Sequence, residues 1–126
     1  MTLILDSGAL LALERRDRAM WVRLKRALLT QQPPRTHGGI LGQVWRGRGP
    51  RQALLATALQ GLECIPLDAG LGKRSGELLA RAGKSDVVDA ALVLLAVDED
   101  LIVTSDPDDL EPLARAAHLN VDLVTI

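Results

Sequence analysis

Leu101-Ile102-Val103-Thr104-Ser105-Asp106-Pro107-Asp108-Asp109-Leu110 is a strand that runs straight into a helix. Leu101 to Thr104 is a short apolar run, the mark of a buried strand. Asp106-Pro107 then opens a helix to about His118, with proline at the first position, where its missing N–H costs nothing. The same unit recurs along the chain. Leu3 to Asp6 reads as a buried strand followed by a helical stretch from Gly8 to about Glu14. Leu62 to Pro66 reads as a strand followed by a helix that Asp68 caps, that runs to Ala82 and that Gly83 ends.

Between these units the pattern stays helical. Arg18 to Leu29 is amphipathic, with Trp21, Val22, Leu24, Leu28 and Leu29 apolar. Gln31 to Gly39 is turn-rich around Pro33-Pro34, with room for a short strand near Arg35 to His37. Ile40 to Arg46 reads as helix, broken by Gly47-Arg48-Gly49-Pro50, and Arg51 to Leu59 as another. Ser85 is positioned to cap a helix from Asp86 to Asp98, and Val121 to Thr125 closes the chain as a strand. Helices alternating with short apolar strands predict an α/β fold: one domain over residues 1–126, with a mostly parallel central sheet flanked by helices on both faces. In such sheets the ligand site lies beyond the carboxyl ends of the strands, at a switch point.

Composition narrows the function. The chain has 126 residues, a net charge of -1 and 2% aromatic residues, with two Trp and no Phe or Tyr. The core must therefore be aliphatic, and a base-stacking platform is excluded, since such sites need several exposed rings. Cys64 is the only cysteine, so there is no internal disulfide, and its apolar surroundings predict a small buried residue. The start lacks the basic and long apolar regions of a signal peptide, and no apolar run is long enough to span a bilayer, so a cytoplasmic location and no membrane partner are expected. Charge is unevenly spread. Arg15, Arg16, Arg18, Arg23, Lys25 and Arg26 crowd one early segment, Arg46, Arg48 and Arg51 follow, and acid gathers from Asp98 to Glu111. Such a two-signed molecule could hold phosphate on one part and a cation on another, although solvated helix faces explain the same residues.

The carboxylates carry the sharper signal. Asp6 closes one apolar run, Asp89 lies inside Val87-Val88-Asp89-Ala90-Ala91-Leu92, and Asp106 follows a third. Charged residues are rarely buried unless paired or bound to metal. Structural explanations suffice for Asp86 beside a helix start, and for Asp108 and Asp109 near another. They serve less well for Asp89, flanked by apolar residues, and for Asp6, which has no strong cap signal. Two carboxylates about 4 Å apart repel by roughly 4 kcal/mol at an effective dielectric of about 20. A hard divalent cation reverses that sign. All-oxygen donors suit Mg²⁺ or Mn²⁺, and the scarcity of His and Cys argues against Zn²⁺.

Leu5-Asp6-Ser7-Gly8-Ala9-Leu10, Ser85-Asp86-Val87-Val88-Asp89-Ala90 and Val103-Thr104-Ser105-Asp106-Pro107-Asp108-Asp109-Leu110 together resemble the acidic motifs of PIN-domain proteins, in order and spacing over nearly the whole chain. The resemblance is closest to the VapC toxins of bacterial toxin–antitoxin pairs. It implies a metal-dependent ribonuclease (a Mg²⁺ or Mn²⁺ endoribonuclease acting on RNA) restrained by an antitoxin protein, and a homodimer, for which the helix around Trp21 is the candidate surface. Asp6, Asp89 and Asp106 take the catalytic, metal-binding positions, with Asp86 auxiliary. The family's usual Glu on the helix after the second strand is here Gln43, which can coordinate through its amide oxygen but brings no charge.

Other residues weigh less. Arg46, Arg48 and Arg51 follow the helix bearing Gln43 and are expected at the site mouth, on RNA phosphates. Trp21 and Trp45 are expected to pack into the core. His37 and His118 lack a nucleophile partner, so a catalytic triad is not expected. Gly38-Gly39 reads as a simple loop rather than a phosphate cradle. Two other functions fit the sequence: a PIN-fold module that holds RNA or a partner but cleaves weakly, and a receiver- or phosphatase-like phosphoryl fold. The second lacks a late Lys after Lys84, and Gly8 stands where a phosphatase needs its second Asp.

Overall fold

Strands β1 (Leu3–Leu5), β2 (Arg35–His37), β3 (Glu63–Ile65), β4 (Leu101–Thr104) and β5 (Asp122–Thr125) form one sheet in the order β3-β2-β1-β4-β5. The computed structural model describes residues 1–126, and every strand pair in it is parallel. Pairing is uneven. β1 meets β4 at three residue pairs and β4 meets β5 at four, but β1 and β2 are in register only at Ile4↔Arg35.

Seven helices flank the sheet: α1 (Ser7–Glu14), α2 (Arg18–Leu29), α3 (Gly38–Val44), α4 (Pro50–Leu59), α5 (Ala69–Ala82), α6 (Val87–Leu94) and α7 (Pro107–Ala116). The chain steps outward from β1 through β2 to β3, then returns to β1's other side for β4 and β5. Crossovers between parallel strands are right-handed, so the two directions of travel cover opposite faces. Contacts divide the same way: α1 packs with α2, α3 and α4, while α5, α6 and α7 pack together.

The core is aliphatic, as the composition requires. Ile4, Leu5 and Ile102 of the sheet are fully buried with Leu10 and Leu13 of α1, Leu92 of α6, and Leu110 and Leu113 of α7. Truncating any of these leucines to alanine costs about 2–5 kcal/mol, because the cavity left behind closes only partly. Trp21 is half-buried against this core, its indole N–H donating to the Leu13 carbonyl at 3.0 Å.

Several local expectations are corrected. α6 ends at Leu94, not Asp98. The nearly buried Asp100 carboxylate accepts the N–H groups of Thr2 and Val97, at 2.8 and 2.9 Å, and Asp98 accepts that of Asn120. These side chains fasten a turn where a helix would have left them in solvent. Cys64 is exposed, because β3 is an edge strand. Trp45 is 42% exposed, because the chain leaves α3 in an extended conformation there. Gly38-Gly39 is the first turn of α3, not a loop. Gly83 does end α5, in the left-handed conformation that favours glycine. No helix is long and apolar enough to cross a membrane.

Candidate functional site

The strand order reverses between β1 and β4, and a cleft of ≈ 210 Å³ opens at their carboxyl ends. Asp6, Ser7, Gln43, Asp86, Asp89, Thr104, Ser105, Asp106, Asp109 and Leu110 line it. Side chains from α1, α3, α6, β4 and α7 and from the residues that cap these helices, distant in sequence, thus meet at the place where open α/β sheets hold ligands. Asp6, Asp86, Asp89, Asp106 and Gln43, singled out in the sequence, all border this one space.

Asp6 is only 7% exposed. It is the N-cap of α1: Oδ1 accepts the Ala9 N–H at 2.9 Å, and Oδ2 accepts the Ser105 N–H at 3.3 Å from the end of β4. The sequence reading found no cap here because it began the helix at Gly8. The helix begins at Ser7, which moves Ala9 into the position a capping side chain reaches. Gly8 must lack a side chain. A Cβ there would collide with the Ser105 hydroxyl and lie 2.7 Å from its Cβ and 3.2 Å from Asp6 Oδ1.

Asp86, not Ser85, caps α6, with Oδ1 accepting the N–H groups of Val88 and Asp89 at 2.9 and 3.1 Å. Asp89 therefore sits in the first helical turn, where the helix dipole favours a carboxylate by roughly 0.3–1 kcal/mol. The net environment does the opposite. Burial first, then the charges of Asp86, Asp109, Asp6 and Asp106, push its pKa up to about 6. Asp89 is not explained as a dipole stabiliser.

Asp106 stands at the start of α7 but its side chain makes no cap bond. Its N–H donates to Thr104 Oγ1 at 2.9 Å, and the Asp109 carboxyl lines the same cleft. The neighbouring Asp109 carboxyl first, then desolvation and the charges of Asp109, Asp108 and Asp6, raise the Asp106 pKa. Asp109, which read as a helix-start residue in the sequence, therefore belongs to the acidic cluster of the cleft. As arranged, no three of the acidic side chains gather around a single point as a preformed cage. The donor chemistry nonetheless fits a hard divalent cation: oxygen donors only, and more carboxylates than the fold needs for capping.

Gln43 lines the cleft from the end of α3. The arginines after it divide. Arg46 folds back on α3, its guanidinium donating to the carbonyls of Gly42, Gln43 and Trp45 at 2.8–3.2 Å. It caps the helix end instead of facing the cleft, as does a cation at a helix C-terminus generally. Arg48 lies exposed in the following loop, and Arg51 borders a different groove.

Sequence reasoning missed His37. It is fully buried at the end of β2. Its Nδ1 accepts the Gly39 N–H at 3.0 Å as the cap of α3, and its Nε2 donates to the Val88 carbonyl at 2.9 Å. One neutral ring thus joins the helix bearing Gln43 to the helix bearing Asp89. Burial lowers its pKa, against the pull of the Val88 bond. The signal available was its place at the end of a predicted strand, directly before the two glycines that start α3.

No family model matches the sequence, and no curated protein matches it. Among solved structures, a chain of VapBC2 from Rickettsia felis, bound to a DNA fragment from their promoter, superposes with a TM-score of 0.69. The alignment covers 98% of each chain at 15% identity. That likeness shows the fold: the five-stranded parallel α/β sheet with its seven flanking helices, matched over 98% of the chain.

Proposed function

We propose that this chain is a Mg²⁺- or Mn²⁺-dependent endoribonuclease, the toxin of a pair in which a separate antitoxin protein restrains it. The observation that carries the reading is the meeting of Asp6, Asp86, Asp89 and Asp106 in one cleft at the switch point, with the pKa of Asp89 raised to about 6. Such crowding opposes folding unless something positive is bound, and helix capping accounts for Asp6 and Asp86 but not for Asp89 and Asp106.

Asp6, Asp89 and Asp106 would hold the cation, with Asp86 and Gln43 at its flank. When bound it supplies a water of lowered pKa and offsets negative charge on the scissile phosphate. The chain's own part is positioning. The amides of Ala9 and Ser105 fix Asp6, and two amides of α6 fix Asp86. The Gln43 amide can donate a hydrogen bond to a phosphate oxygen that a carboxylate would repel.

The antitoxin partner draws support from the neighbour of shared fold, itself VapBC2 on promoter DNA. For self-association, Trp21 is turned partly inward, and α2 exposes Val22, Leu28 and Leu29 among the charged Arg18, Lys25 and Arg26. We place a homodimer contact on that face. A second reading, an RNA- or partner-binding module that cleaves weakly, is favoured by the uncharged Gln43.

Incubation of the protein with single-stranded RNA and Mn²⁺ or Mg²⁺ separates the two. The nuclease reading expects cleavage that chelator abolishes and that Asp89→Asn reduces at least a hundredfold. RNA bound but uncut by the wild type supports the binding module. Cleavage unchanged in excess chelator overturns the metal mechanism.

A further inference from the structure

Arg15, Arg16 and Arg51 line a second groove, of ≈ 340 Å³, together with Glu14, Pro50 and Leu54. The molecule's two ion pairs are Arg35–Glu63 and Arg115–Glu111, so none of these three guanidiniums has a carboxylate partner. The one acid in the groove, Glu14, is engaged otherwise: its Oε2 accepts from Gln52 Nε2 at 2.9 Å. The Glu14 charge offsets one of the three, so the groove retains an excess of positive charge whose guanidiniums are in no ion pair. Guanidinium is suited to phosphate, with planar donors that pair two oxygens at once.

The groove is next to the acidic cleft. α1 starts at Asp6 in the cleft and ends at Glu14 in the groove, a span of roughly 12 Å at the helical rise. Gln52 closes the connection on the other side. Its amide donates to Glu14 and also, at 3.3 Å, to the carbonyl of Val44, the residue after Gln43. Its Oε1 accepts the N–H groups of Arg46 and Gly47 and so fixes the loop that leads to Arg51. Glu14 of the groove is thereby tied through Gln52 to the backbone of Val44, the sequence neighbour of Gln43 in the cleft.

We infer that the Arg15–Arg16–Arg51 groove binds backbone phosphates of single-stranded RNA whose scissile bond lies in the acidic cleft. This rests on the ribonuclease reading for the polymer, but the phosphate site follows from the groove's own residues. Phosphate contacts fix register and carry no sequence information, so the groove anchors RNA irrespective of base sequence.

The test measures binding of the full chain to a fluorescent single-stranded RNA of about 16 nucleotides, near the upper end of single-strand site sizes. It is done in chelator, where nothing is cut, over a range of salt. The variant combines Arg15→Gln, Arg16→Asn and Arg51→Gln. Asn is chosen at 16 because Arg16 has a φ of 63°, which Asn accepts. The control combines Lys73→Ala, Arg74→Ala and Arg81→Ala, three exposed cations of α5 with the same change in charge. Each phosphate contact on a single strand contributes about 0.7 to the slope of log Kd against log salt, so the groove variant should lower the slope by about 2. The control should leave it unchanged. A groove slope equal to the wild type's, or to a shifted control's, overturns the inference. So does displacement of the RNA by inorganic phosphate as readily as by unlabelled RNA at equal phosphate, which assigns the groove to a small anion. If Asp89→Asn cuts RNA in Mn²⁺ as well as the wild type does, the cutting does not come from the acidic cleft and the ribonuclease reading of that cleft fails, while the slope still decides the groove.

Discussion

The imidazole of His37 holds the carbonyl of Val88 at 2.9 Å, a bond from the end of β2 to the first turn of α6. Its other nitrogen accepts from Gly39, so both bonds require the neutral ring. Protonation would turn Nδ1 into a donor facing another donor. Burial sets the folded pKa below the unfolded value of about 6.5. The unfolded chain then takes up the proton first, and this contribution to stability is complete above pH ~6.5 and shrinks as pH falls below it. His37→Ala should destabilise by about 1–3 kcal/mol at pH 7.5, from the lost cap and the orphaned carbonyl. Denaturant unfolding of the variant should show that loss diminishing toward pH 5.

Asp89 contributes with the opposite sign. Its folded pKa of about 6 lies above the ordinary carboxylate value, so its penalty is absent near pH 4, grows as pH rises, and is complete above about pH 6. In chelator at pH 7.5, Asp89→Asn should stabilise by roughly 1 kcal/mol, solvent screening of a half-exposed group having been allowed for. The two residues oppose each other between pH 4 and about 6.5. The wild type should show a flat profile there, and Asp89→Asn should lose stability on acidification more steeply. An unaltered profile in Asp89→Asn would contradict the account of the cluster.

Gln43→Glu adds a carboxylate to a cleft that already holds five aspartates. In chelator the protein should become less stable, by about 1 kcal/mol or less. Mg²⁺ affinity should rise, because cation affinity grows with ligand charge. Calorimetric titration checks the second, and thermal unfolding with and without metal checks the first. A Mg²⁺ affinity unchanged by the added charge would remove Gln43 from the cation's surroundings.

Gly8→Ala tests the closeness of β4 to the start of α1. The new methyl meets the Ser105 side chain, and relieving that overlap should cost about 1–3 kcal/mol and loosen the hold of the Ser105 amide on Asp6. Ser105→Gly removes the obstacle. The double variant should regain most of the stability lost in Gly8→Ala, a coupling that a double-mutant cycle measures directly.

Much of this was legible in the sequence. The five short strands and the parallel α/β class follow from apolar runs alternating with helical patterns, and Asp6, Asp89 and Asp106 stand out because apolar neighbours give them no solvent excuse, whereas Asp86 and Asp109, which also border the cleft, read as helix-start residues. What was not legible depends on which strand is an edge and on helix starts shifted by one residue. Cys64 reads as buried in its apolar run, yet β3 ends the sheet. Asp6 and Asp86 become caps only when their helices start at Ser7 and Val87. Arg46 reads as a phosphate ligand until the end of α3 supplies three carbonyls for it. Arg15, Arg16 and Arg51 gain a common meaning only through the packing of α1 on α4, which local pattern does not encode.

The single residue pair joining β1 to β2 has a consequence for the width of the cleft. Gln43 stands on one bank, beyond β2, and Asp6 and Asp106 stand on the other, beyond β1 and β4. A backbone ladder would set their separation rigidly. Here the spacing falls instead to the packing of α1 on α3 and α4 and to the His37 bridge. Side chains as spacers make the gap responsive to volume: a methylene gained or lost beneath α3 moves one bank against the other. In native-state hydrogen exchange the amides of β2 should accordingly open well before those of β4, marking the line along which the molecule breathes.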